Sequence, residues 1–290
     1  MNLLNIYHLL RPKHYVKNIF IFLPAFFALK IDDFNVLYAT FVAFMAFSIV
    51  ASGVYVFNDY FDIEADRIHP KKRNRPLASG AIDKSVARFI MTLLFSLGLS
   101  LMFFVSSEAA IYLFLYAIMN IAYSIHFKHV AIIDIMIIAV GFVLRLFVGS
   151  VVTGIGLSKW IVIMTFFLSL FIALAKRRDD VIIFHETGKE VRKVIKGYSI
   201  QFLDTSMAIM ASIVIVVYTM YTTSLEVIER IHSEYLYLTA FFVIFGIMRY
   251  LQITFVFQKS GSPTTIIFKD KFMMLVILSW ALSFYWILYY

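Results

Sequence analysis

Long apolar runs, most of them near the roughly 20 residues that a membrane crossing needs, alternate along this chain with short polar joints. Nine such runs are legible, over 18–33, 36–57, 85–106, 109–126, 130–152, 159–176, 205–225, 234–257 and 272–289. They predict an all-α polytopic membrane protein of about nine transmembrane helices. Residues 1–290 read as a single integral membrane domain with no soluble appendage, internal repeat or low-complexity segment. The first run contains Pro24 and lacks a small-residue cleavage site, so it reads as a span and not as a cleaved signal. The stretch from 181 to 203 is too polar to span.

Composition sharpens this picture. The chain is 62% hydrophobic and 15% charged, with a mean hydropathy of +0.86. Soluble domains are about half apolar and about a quarter charged, so the excess apolar surface calls for lipid. The 31 Phe and 17 Tyr suit lipid-facing surfaces and interfacial belts. Without cysteine, disulfides, thiolate metal sites and thiol nucleophiles are excluded.

Charge adds orientation. Arg11, Lys13, Lys17, the basic residues of 67–84, Lys128, those of 176–196, and Lys259, Lys269 and Lys271 fall on one side of the predicted spans. The other side holds only Lys30, Lys159 and Arg230, while Arg88, Arg145 and Arg249 lie within spans. Basic loops stay in the cytoplasm. The pattern therefore predicts a protein of the cell membrane with its N-terminus and long loops inside and its C-terminus outside. The net charge of +8 is then a topology signal, and no nucleic-acid partner is implied.

One stretch breaks the apolar pattern: "NDYFDIEADRIHPKKRNRPLASG", residues 58 to 80. Asn58, Asp62 and Asp66 are four apart, with Asp59 one step away. Residues at that spacing share a helix face, so their oxygens converge if the second span continues past 58. Several hard oxygens with open positions suit Mg²⁺, which shares its shell with water and substrate phosphates. Lys71, Lys72, Arg73 and Arg75 follow, as a diphosphate bound beside the metal would require. Charged loops are common at span ends, but carboxylates at membrane depth are costly and mark function.

Asn58, Asp59, Asp62 and Asp66 match the N-D-x-x-D-x-x-x-D motif of the UbiA superfamily of intramembrane prenyltransferases, and Arg75–Gly80 matches its R-P-L-x-x-G stretch. The resemblance covers nearly the whole chain. It implies a UbiA-like bundle with a cytoplasm-facing cavity, with Asn58, Asp62 and Asp66 holding Mg²⁺ and Asp59 beside them in the catalytic set. That family carries a second acidic D-x-x-x-D near the sixth span. Here the chain reads Ala175-Lys176-Arg177-Arg178-Asp179-Asp180, with Ile183 and Phe184 following, and the basic triplet suggests an anion site instead.

Four further stretches are similar to one branch, the decaprenyl-phosphate phosphoribosyltransferases: "RPKHYVKN" at 11–18, "YSIHFKHVAIIDIMIIAVGFVLR" at 123–145, "LAKRRDD" at 174–180 and "GSPTTIIFKD" at 261–270. This implies phosphoribosyl diphosphate (PRPP) as donor and a polyprenyl phosphate as acceptor. Substrate-binding residues under that reading are Lys17, Arg73, Arg75, Tyr123, Lys128, Asp134, Lys176 and Arg177.

Other positions carry two readings each. Lys13, His14 and Lys17 fit headgroup anchoring as well as substrate binding; His126 and His129 fit either acid–base work or an interfacial seat. Arg145 sits deep in its span and could snorkel outward. The 181–203 stretch, with Glu186, Glu190 and Lys193, is either a cap over the cavity or a solvated face, and Ser262–Thr265 with Asp270 form a turn before the last span. The runner-up function is conventional prenyl transfer to an aromatic or quinone precursor, against which the missing acidic pair counts. A transporter or lipid binder ranks third, since the polar residues gather at one face and not at mid-membrane. Assembly as a homo-oligomer is compatible with all three.

Overall fold

The computed structural model describes residues 2–68, 72–188, 193–258, 266 and 269–289; Lys71, Lys189, Glu190, Arg192, Lys259, the turn at Ser262–Thr265 and Tyr290 lie outside them, as does the side chain of Lys193. The chain gathers into two units, Met1–Lys128 with Val140–Leu157, and His129–Ala139 with Ser158–Tyr290.

In the first unit, α1 (Leu3–Leu10) is capped by the Asn2 side chain and closes at Arg11. Residues Pro12–Phe22 then run in 3₁₀ geometry, followed by the short α2 (Leu23–Phe27). The expected first span over 18–33 is therefore not one continuous helix. Pro24 has no N–H to bond back, and Leu29 turns the chain in the left-handed region at φ 57.

Helix α3 (Phe34–Phe61) is the axis of this unit and is capped by Asp33. Its 28 residues rise about 42 Å, longer than a hydrocarbon core of about 30 Å. The polar end at Asn58 and Asp59 thus has room to reach beyond the lipid. A short α4 (Ile63–Ile68) continues nearly in register. Small residues let α5 (Lys84–Val105) lie close against α3: a Cβ on Gly98 would stand 2.6 Å from Val50 Cγ2 and 2.9 Å from the Ala46 carbonyl oxygen. Helix α6 (Ser107–Ile125) and the second half of α7 (Ile133–Thr153) complete a core of Phe47, Val50, Met102, Leu113 and Val148.

Arg145 does not snorkel. It is buried, donating Nε to Asn18 Oδ1 at 2.8 Å, one terminal nitrogen to the Gly141 carbonyl at 2.6 Å and the other to Tyr116 Oη at 3.2 Å. The rings of Phe47, Tyr116 and Phe142 lie within 4.7 to 5.2 Å of its guanidinium. Neutral dipoles and ring faces replace a counter-ion here.

The second unit is built on α8 (Lys159–Thr187), capped by Ser158 and stopped by the left-handed Gly188. The helix runs well past the expected span end at 176, because the charges that follow find partners within the same unit. Against it packs α9 (Ile200–Thr222); α10 (Leu225–Ile231) and α11 (Ala240–Phe255) pack in turn on α9, and α12 (Lys271–Tyr289) on α11. Their core gathers Phe171, Leu174, Leu203, Met207 and Ile253, and Val194, Ile195 and Tyr198 from the polar stretch after α8 are anchored in it.

Among the described residues seven helical stretches are long and apolar enough to cross a membrane, and Lys271–Ile287 is a shorter apolar one. Phe89, Phe103 and Phe104 on α5 and Leu275 and Trp286 on α12 are exposed, a surface suited to lipid. The protein is an all-helical integral membrane protein.

Candidate active site

The acidic face forms where α3 meets α4. The Asp62 N–H bonds the Asn58 carbonyl at 3.0 Å and the Asp66 N–H bonds the Asp62 carbonyl at 2.7 Å, so helical register persists across the junction. Asn58, Asp62 and Asp66 consequently share one face, and Asn58 Nδ2 donates to Asp62 Oδ2 at 3.2 Å.

Cations from three segments meet these acids. Asp59, 2% exposed, accepts from Arg11 at 2.6 Å and from Arg75 at 3.0 Å. The same Arg75 nitrogen reaches Asp66 Oδ2 at 2.6 Å, bridging the two carboxylates. Lys128, in the turn after α6, donates to Asp62 Oδ1 at 2.5 Å. A carboxylate that gives up water needs such partners, and here each of Asp59, Asp62 and Asp66 has one.

The R-P-L-A-S-G stretch explains how Arg75 is presented. Pro76, Leu77 and Ala78 are buried, with Leu77 in a cluster with Leu9, Val56 and Ile63. Gly80 takes φ 78, which a side chain would resist, and the Ile82 N–H closes back on the Pro76 carbonyl at 3.1 Å. The apolar residues anchor the turn, and Arg75 at its head is held against the carboxylates.

Of the other expected residues in this unit, Arg73 is exposed and Tyr123 is half-buried in the last turn of α6. His126 and His129 are exposed, beside Lys128. Lys17 is half-buried, and burial, then the Arg145 and Arg11 charges, push its ammonium down to about 8.

In the second unit Asp134 is fully buried. It accepts from Arg177 Nε at 2.5 Å and from the Tyr198 hydroxyl at 2.5 Å, while Arg177 also reaches Asp180 at 3.1 Å. The Ile132 N–H donates to the Tyr198 hydroxyl at 2.7 Å, steadying a β-branched residue at φ 70. Burial and the hydrogen bond to Asp134 push the Tyr198 phenol up. Arg178 is taken by Asp204 at 2.6 Å and the Thr254 carbonyl at 2.9 Å. The basic triplet is thus divided: Lys176 is exposed, whereas Arg177 and Arg178 are buried. Asp270 pairs with Arg249 at 2.7 Å, and that hydrogen bond holds its carboxyl below the usual range.

Sequence reasoning found the acids and missed three partners: Arg11, Tyr198 and Asp204. No local spacing marks them, since each acts across a long stretch of chain.

For a metal, the donor set of Asn58, Asp62 and Asp66 fits Mg²⁺: hard oxygens on successive helical turns, leaving positions for water and phosphate. Among the described residues no three Asp, Glu, His or Cys side chains are gathered on one point. Asp62 and Asp66 are instead turned onto Lys128 and Arg75, and an ion would exchange those partners.

Comparison with known proteins bears on this arrangement. Residues 18–264 match the UbiA prenyltransferase family. The chain is 30% identical over 277 residues to a decaprenyl-phosphate phosphoribosyltransferase of Mycobacterium tuberculosis, covering 93% of this chain and 90% of that one. Its counterpart from Mycolicibacterium smegmatis is 29% identical over 280 residues, covering 93% and 88%. Among solved structures, a UbiA homolog from Archaeoglobus fulgidus bound to DMAPP and Mg²⁺ superposes with a TM-score of 0.70 at 18% identity, covering 97% of this chain and 98% of that one.

Proposed function

This chain belongs to the UbiA prenyltransferase family, and from that premise we propose that it transfers 5-phosphoribose from PRPP to a polyprenyl phosphate of decaprenyl type, releasing diphosphate. The chain acts as one integral membrane domain, with its site open to the cytoplasm. The observation that carries the reading is the acid face of Asn58, Asp59, Asp62 and Asp66 laced to Arg11, Arg75 and Lys128. The relatives named for this transfer, matched along more than nine-tenths of the chain, favour the phosphoribosyl donor over a prenyl diphosphate.

Asn58, Asp62 and Asp66 would hold Mg²⁺. When bound, that ion supplies charge neutralisation for the leaving diphosphate. The remaining work falls to the protein. Asp59, buried between two guanidinium groups, fixes Arg11 and Arg75 in place. Arg75 and Lys128 are cations already at the acid face, and they balance phosphate charge when their carboxylates turn to other partners. Lys17, Arg73 and Tyr123 complete the phosphate-binding set of this unit, and Lys176, exposed on α8, is a phosphate-binding residue of the second unit. In the second unit Arg177 holds Asp134 and Asp180 and so positions them.

In the reaction the bond from the ribose anomeric carbon to the diphosphate oxygen breaks, its electrons leaving with diphosphate. A bond forms from that carbon to an oxygen of the acceptor phosphate. That oxygen is already anionic, so no strong general base is needed. Electrostatic stabilisation of the departing group supplies most of the rate.

Labelled PRPP with a polyprenyl phosphate, against prenyl diphosphate with 4-hydroxybenzoate, is the deciding comparison. Labelled lipid from the first pair is expected. Product from the second pair alone would overturn the proposal and restore conventional prenyl transfer.

A further inference from the structure

The buried phenols of Tyr116, Tyr198 and Tyr218 each hold a partner within the protein. Thr40, Thr153 and Thr219 turn their hydroxyls onto the carbonyl one helical turn back, a refuge open to any hydroxyl in an apolar helix. Tyr250 and Thr254 on α11 do neither. Their residues are 5% and 0% exposed, and among the described residues their hydroxyls have no hydrogen-bond partner. Two such groups left dry would be costly, and native interiors supply ordered water where side chains do not reach.

The two residues are four apart and so share one face of α11. Helix α8 comes against that face. The Phe171 ring lies 5.2 Å from the Tyr250 ring, and Arg178 donates to the Thr254 carbonyl at 2.9 Å. Asp179 follows Arg178 in the chain. One of its carboxylate oxygens is buried, and its charge acts on the Tyr250 phenol. Two neutral hydroxyls and a carboxylate oxygen therefore meet inside a core otherwise built from residues such as Phe171, Leu174 and Ile253. A buried water makes about three hydrogen bonds to polar groups of this kind.

We propose that a structural water sits between Asp179, Tyr250 and Thr254, donating to the carboxylate and bonded to both hydroxyls. It ties the charged end of α8 to α11. Asp179 is then a structural group and neither a phosphate-side nor a metal-side residue. With Asp180 held by Arg177, both acids after the basic triplet serve the interior of this unit. Nothing in this tie depends on the transfer reaction.

Tyr250→Phe and Thr254→Val each remove one hydroxyl with little change of shape. Thermal midpoints of the purified full chain are compared for wild type, both single variants and the double variant. Each single change is expected to lower the midpoint by roughly 2–4 °C, the worth of one hydrogen bond in a domain of this size. The double change should cost less than the two losses summed, because one water serves both hydroxyls. Dry hydroxyls give the opposite sign, since an apolar group of the same shape then leaves the midpoint unchanged or raises it. Either result overturns the proposal, and so do two losses that simply add. A high-resolution structure of the wild-type chain needs no variant: density for a water between the three oxygens supports the site, and its absence overturns it. A wild-type midpoint that rises with magnesium or potassium, and loses that rise in Thr254→Val, puts a cation in the water's place and overturns it as well.

Discussion

Arg177→Met removes one guanidinium group from the interior of the second unit while keeping most of its bulk. Arg177 is 1% exposed and serves Asp134 at 0% and Asp180 at 8%. Breaking a buried pair strands a charge and costs about 3–5 kcal/mol. The Tyr198 hydroxyl stays on Asp134, and a hydrogen bond to a charged group is worth about 1.5–3 kcal/mol, so the lower end, about 3 kcal/mol, is expected. At about 2–4 °C per kcal/mol for a large domain, the thermal midpoint should fall by roughly 6–12 °C. Tryptophan fluorescence of detergent-purified protein at one fixed scan rate reads this. Asp134→Asn in the Arg177→Met background should recover part of the loss, because both buried charges of the pair are then gone. A coupling of at least about 1 kcal/mol lies within the range for residues in contact. An unchanged midpoint in Arg177→Met, with a raised KM for PRPP, would refute the reasoning and return Arg177 to the ligand-binding set.

Asp62→Asn and Asp66→Asn should each abolish most turnover while the protein still inserts and purifies; wild-type turnover in either, or full activity in chelator, removes the metal from the account. A cysteine placed at Glu186 should resist an impermeant thiol reagent in intact cells and one at Lys30 should react, and the reverse pattern would invert the predicted topology. Lys17, at about 8 in the folded chain against 10.5 ordinarily, binds fewer protons folded than unfolded between those values. Stability should therefore rise with pH from about 8 to 10.5, and Lys17→Met should flatten that slope in denaturation midpoints measured across the window.

How much of this was legible in the sequence divides along a physical line. The membrane class followed from composition, because apolar surface in such excess has no other solvent. The acid face was legible because Asn58, Asp62 and Asp66 are separated by local helical geometry, which four-residue spacing reports directly. The polar side chains at the end of the sixth span were legible as charges, and their division into exposed Lys176 and buried Arg177 and Arg178 was not.

Partnership was decided by tertiary structure alone. Lys128 and Asp62 stand 66 residues apart, and Arg145 and Asn18 stand 127 apart. Nothing along the chain says which cation meets which carboxylate, because ion pairing is set by distance in space and by the loss of water around each charge. Arg145 shows the point most plainly. The sequence offered it an escape to the interface, and packing supplied Asn18, Tyr116, the Gly141 carbonyl and three ring faces instead. The first predicted span failed for a related reason. Hydropathy over 18–33 reports what lipid would tolerate, whereas the path of that segment is governed by Pro24, the turn at Leu29 and the close seat of Ile21, whose carbonyl a Cβ on Gly149 would strike. Local sequence thus determined the solvent and the acid face, while packing determined which charges are fixed in the interior and which stay exposed.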